Sequence, residues 1–82
     1  MATGNAVRLA ERGVATPLAT ELARQITAST GNFERLRELG MTSRASRIMA
    51  ASVVSHTVNV NALVESGVVP DVVREFAAQI AS

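Results

Sequence analysis

The chain predicts an all-α fold: three helical hairpins of 27 residues each, stacked as a short solenoid or folded into a compact six-helix bundle. Three observations predict it. The first is repetition. Thr3, Thr30 and Thr57 match, as do Asn5, Asn32 and Asn59, then Leu9, Leu36 and Leu63, then Glu11, Glu38 and Glu65, then Gly13, Gly40 and Gly67, and Ala23, Ala50 and Ala77. A constant period of this size marks stacked supersecondary units. The second is punctuation: each unit places helix-starting and helix-stopping residues at fixed offsets. The third is periodicity, because the second half of every unit repeats apolar residues at helical spacing. The units, at about 3–29, 30–56 and 57–82, divide a single domain, residues 1–82. They leave no separate stretch for a catalytic domain, so the expectation is a scaffold or binding surface, not an enzyme.

Each unit opens with Thr-Gly-Asn or Thr-Val-Asn. Asn5, Asn32 and Asn59 are candidate N-caps, since a short side-chain acceptor can hold a free first-turn N–H. A short helix is expected to follow over about 6–12, 33–39 and 60–66, stopped by Gly13, Gly40 and Gly67. Glycine tolerates the left-handed conformation that commonly closes a helix. With Gly one place past the C-cap, Leu9, Leu36 and Leu63 face Val14, Met41 and Val68 across a Schellman closure.

The second helix starts two or three residues later. Thr16-Pro17 reads as N-cap and first helical position; Ser43 or Thr42 caps the second copy, and Val69-Pro70-Asp71 starts the third. The core stripe is Ala19, Leu22, Ala23 and Ile26, repeated as Ser46, Met49, Ala50 and Val53 and as Val73, Phe76, Ala77 and Ile80. The recurring central Ala suggests a close approach that a larger side chain would block. Helices this short are marginal alone, so the units must bury their stripes on each other, the middle one with neighbours on both sides.

Composition narrows the function. Apolar residues make up 48%, but only Phe33 and Phe76 are aromatic. An Ala-rich core buries little area per side chain, which leaves apolar surface for a partner or for self-association. The net charge is +1, all eight basic residues are Arg, and Cys is absent. That balance does not describe a nucleic-acid binder, and thiol and disulfide chemistry are excluded. The start of the chain has no secretion-signal pattern, and the longest uncharged run, 48–64, is too polar to span a bilayer. No membrane association, cofactor or metal is expected.

No catalytic constellation stands out. His56 is the single His and reads as the end of its helix, where a partly charged ring is favourable. Glu11, Glu38 and Glu65 sit in last turns, where the helix dipole disfavours them. Their recurrence suggests either a definite partner, such as the next helix's free N–H groups or a neighbouring Arg, or a solvated position kept by descent.

The middle unit departs from the pattern. Where the others have Glu21 and Glu75, read as outward positions, it has Ile48. Arg44, Arg47, Ile48 and Ala51 then form a second stripe at helical spacing. A mixed Arg and aliphatic patch suits a protein–protein contact; the competing reading buries Ile48 under the flanking units. The hairpin also suggests a helix-turn-helix DNA reader, with Arg44 and Arg47 on its second helix. The balanced charges of the other two second helices, with Glu21 and Arg24 or Asp71, Arg74 and Glu75, speak against it.

The unit L-x-E-x-G-[VM], followed by a cap and an Ala-rich helix closing on Gln-Ile, is carried by Leu9 to Val14 with Ala23 to Ile26, and by Leu63 to Val68 with Ala77 to Ile80. It resembles short helical repeats of small virion proteins of tailed bacteriophages, of the head fibre or head decoration type. The resemblance implies a structural protein that docks on capsid or fibre components. It would be a homo-oligomer or a set of lattice-bound copies, made in the host cytoplasm and incorporated in the virion. It supplies no catalytic residues. The middle copy departs from it, with Ala50 to Val53 where the others approach Gln-Ile.

Overall fold

Each unit begins with an asparagine whose side chain starts a helix. Asn5, Asn32 and Asn59 adopt extended backbone and accept from the N–H groups of Arg8, Arg35 and Ala62. In the computed structural model, which describes residues 2–82, these caps open α1 (Ala6–Glu11), α3 (Phe33–Glu38) and α5 (Val60–Glu65). The longer partners are α2 (Thr16–Ala28), α4 (Ser43–Ser55) and α6 (Pro70–Ala81). The fold is all-helical, as the repeat predicts.

The short helices close as expected. Gly13, Gly40 and Gly67 have φ of 114°, 105° and 102°. Val14, Met41 and Val68 donate back to the carbonyls of Leu9, Leu36 and Leu63 at 3.1, 3.1 and 3.2 Å. This is the Schellman pattern, and it orients the three leucines inward, each fully buried. The start of α2 differs from expectation by one place. Ala15 is the N-cap, without a side-chain bond, and Thr16 already lies in the helix. Pro17 still falls in the first turn, where its missing N–H costs nothing. Thr42, not Ser43, caps α4 by accepting from Ala45.

The long helices bury the predicted stripe except at Ala50 and Ala77, which are half-buried. Leu22, Met49 and Phe76 are at 0% exposure, as are the equivalent Ala19, Ser46 and Val73. Two of the central alanines mark a close approach of backbone to backbone. A Cβ on Gly4 would land on the backbone of Ala23, and one on Gly31 on that of Ala50. In the first two units the segment before the short helix therefore lies against its own long helix, too close for a side chain on the glycine. The third unit has Val58 at the equivalent place, and its cap Asn59 turns to φ −93°, against −141° and −135° for Asn5 and Asn32.

The hairpins close into a ring. Besides packing within each unit, α2 meets α3, α4 meets α5, and α6 meets α1. The result measures 26 × 23 × 23 Å. This settles the choice between solenoid and bundle and corrects the special status of the middle unit, since every unit has two neighbours. The join between the ends reproduces the covalent one. Thr30 N–H bonds the Gln25 carbonyl at 3.1 Å to close α2, and Thr3 N–H bonds the Gln79 carbonyl at 3.2 Å to close α6. The first residues of the chain thus cap its last helix. At the ends of α2 and α4, Ser29 and His56 take left-handed φ of 55° and 59°, and Ser29 Oγ lies 3.1 Å from His56 Nε2. No helix among the described residues is long and apolar enough to cross a membrane.

Candidate interaction surfaces

The junctions between units are polar and specific. At the first, Gln25 uses both ends of its amide on Asn32, accepting from its N–H at 2.9 Å and donating to its carbonyl at 3.4 Å. Gln25 also donates to Glu21 at 3.0 Å, and Glu21 holds Arg24 at 2.7 Å and Arg35, across the junction, at 3.8 Å. The closing junction repeats this. Gln79 bonds Asn5 at 2.9 and 3.1 Å and Glu75 at 2.9 Å, and Glu75 pairs with Arg8 at 3.2 Å and Arg12 at 3.7 Å. Glu21 and Glu75 are therefore buried, not outward as the sequence reading had them. Their glutamine hydrogen bonds, foremost, and then the arginines hold both carboxyls below the usual carboxylate range, while burial pulls the other way.

The junction between the second and third units has lost this module as a block. Ile48 replaces Glu, Ser52 replaces Gln, and Ala62 replaces Arg. Ser52 Oγ turns back to the Ile48 carbonyl at 2.7 Å and leaves Asn59 unclamped. Ile48 is half-buried and packs against the core. The stripe of Arg44, Arg47, Ile48 and Ala51 is consequently divided among four environments. Arg44 reaches Glu65 of the next unit at 3.8 Å, with both groups exposed, a contact worth little. Arg47 lies over the Phe33 ring at 5.3 Å. Ile48 fills the junction, and Ala51 is exposed.

The three recurring glutamates diverge as well. Glu65 has that neighbouring Arg, Glu38 pairs with Arg35 of its own helix at 2.9 Å, and Glu11 has no ion pair among the described residues.

The outer face of each hairpin, between its short and long helices, is furnished differently. In the first unit Ala6, Ala10, Thr20, Ala23 and Thr27 leave two adjoining shallow depressions of about 480 and 560 Å³. In the second, Phe33 occupies the place of Ala6, flanked by Arg37 at 5.8 Å and Arg47 at 5.3 Å. In the third, Val60 and Val64 stand there, 42% and 39% exposed. The core positions keep their apolar character from unit to unit, apart from Ser46, while these positions vary freely.

Sequence reasoning missed two features. One is the Glu-Gln-Arg module, whose signal was present: the first and closing junctions keep all three residues, and the middle junction drops all three. The other is the Phe33 cluster, visible only when Phe33, Arg37 and Arg47 are set beside Ala6, Ala10 and Thr20. No family model, curated protein or solved structure matches the chain.

Proposed function

We propose that this protein is a structural docking component of a bacteriophage virion, of the capsid decoration, head fibre or fibre-anchoring kind, acting by protein–protein contact and not by catalysis. The observation that carries the reading is the closed ring of three like units. Such a body offers three related faces around one axis, which suits a site where three symmetry-related copies of a lattice protein meet. The varied outer faces, set on a conserved core, supply contact chemistry without disturbing the fold. Arginine is the sole cation, and its planar guanidinium suits carboxylate pairing at such contacts.

The test is co-sedimentation of the purified protein with head shells and with fibre preparations, followed by stoichiometry on any complex. Saturable binding in proportion to lattice positions supports the reading. Absence of binding to either preparation overturns it. Salt-dependent duplex binding that is lost with Arg44→Ala and Arg47→Ala would instead favour a small DNA-binding regulator.

A further inference from the structure

We propose that two copies of this chain dock head to tail, the Phe33–Arg37–Arg47 face of one seating in the alanine-lined groove of the first unit of another. The inference stands apart from the virion setting, since it concerns only what the chain offers itself.

The two surfaces occupy equivalent places on successive units, and each has what the other lacks. The groove is bounded by Ala6, Ala10 and Thr20, with Val7 at its rim 67% exposed. The second unit carries Phe33, Arg37 and Arg47 at the positions equivalent to Ala6, Ala10 and Thr20. One face is therefore a groove of small side chains and the other a half-buried aromatic ring flanked by guanidiniums at the edge of a depression of about 310 Å³, a composition enriched at interfaces.

The charges match too. Arg37 and Arg47 have no carboxylate partner among the described residues, and neither does Glu11, which lines the groove. The other charges nearby are Arg24 at the far end of the groove, held by Glu21, and, beside Phe33, Glu34 and the Arg35-paired Glu38. Arg37 and Arg47, which lie over the Phe33 ring, thus have no carboxylate to give up on pairing with Glu11 of a second copy.

Size permits the contact: an interface of about 800 Å² per partner takes under a fifth of the 4521 Å² surface. Because the two faces differ, the contact is heterologous, so copies continue into a ring if the rotation closes and into a filament if it does not.

The repeats supply their own test variants. Ala6→Phe, Ala10→Arg and Thr20→Arg together fill the groove with the side chains that the second unit already accommodates. Phe33→Ala, Arg37→Ala and Arg47→Thr together remove the aromatic and guanidinium face using the first unit's residues. Light scattering across a concentration series, with circular dichroism to confirm folding, reads the outcome. The wild-type chain should rise from the mass of one chain, 8.6 kDa, to twice that or more, and less so at high salt. Each variant alone should stay at one chain mass. An equimolar mixture should assemble, because one variant carries only faces of the Phe33 kind and the other only alanine-lined grooves. A wild-type chain that stays monomeric overturns the proposal, as does a groove-filled variant that assembles like wild type or a mixture that never dimerises. None of these outcomes bears on binding to head shells, which is measured separately.

Discussion

Ser46 occupies a core position where the neighbouring units have Ala19 and Val73, and its hydroxyl is fully buried with no hydrogen-bond partner. An unmet buried hydroxyl costs about 1–3 kcal/mol. Ser46→Ala should therefore stabilise the protein by roughly 1 kcal/mol and raise Tm by about 4–8 °C in a thermal melt; an unchanged or lower Tm would show that the hydroxyl is satisfied in solution. Gly31 marks the opposite case. Any Cβ there meets the Ala50 backbone, so Gly31→Ala should destabilise by about 1–3 kcal/mol, measurable by denaturant titration. Glu21 and Glu75 set the response to acid. Their carboxyls titrate below the ordinary range when folded. The stability they contribute is complete above the unfolded-state value and is lost as pH falls through the folded one. Tm should hold steady from neutral pH down to about pH 5 and then fall. The double variant Glu21→Gln, Glu75→Gln should flatten that fall, and a fall of unchanged depth would assign the acid sensitivity to other carboxylates.

At the scale of elements, the Asn caps, the glycine closures and the buried stripe were all legible, because each shows in residue types at fixed local spacing. The junctions were not, since Glu21 with Arg35 joins successive units whose docking the local pattern does not fix, and Glu75 with Arg8 meets only once the ring closes. That is also why Glu21 and Glu75 read as outward: a helix wheel places them off the stripe, but a neighbouring unit covers them. The replaced junction makes the coupling measurable. Ile48→Glu alone puts a carboxylate into a half-buried site with neither Gln nor Arg to meet it, and should cost about 1–3 kcal/mol. Adding Ser52→Gln and Ala62→Arg rebuilds the partners found at the other two junctions. The triple variant should recover most of that loss, a non-additivity that a mutant cycle detects. Additive losses across the cycle would argue that the module acts as three separate contacts.

For the whole molecule, the repeat and the all-α class were legible from the sequence, and the closed ring was one of the two arrangements it allowed. The deciding contacts pair the first residues with the last. Since Thr3 closes α6 as Thr30 closes α2, Ser82 and Ala2 occupy the places that neighbouring residues fill at the internal junctions. A permuted chain joined from Ser82 to Ala2 and opened between Ser29 and Thr30 should keep the helical spectrum and lose little stability; failure to fold would mean that the internal connections are not interchangeable.

The same closure carries a cost during synthesis. The residues that finish α6 leave the ribosome well before it, and they have nothing to cap until that helix emerges. Until then Arg8 and Arg12 lack Glu75, and the first hairpin keeps an open flank beside a growing neighbour. Two nascent chains on one message each hold such a flank at the same moment. The third hairpin of one could complete the ring of the other, so crowding of translating ribosomes, and not the finished fold, is where exchanged dimers of this protein would arise.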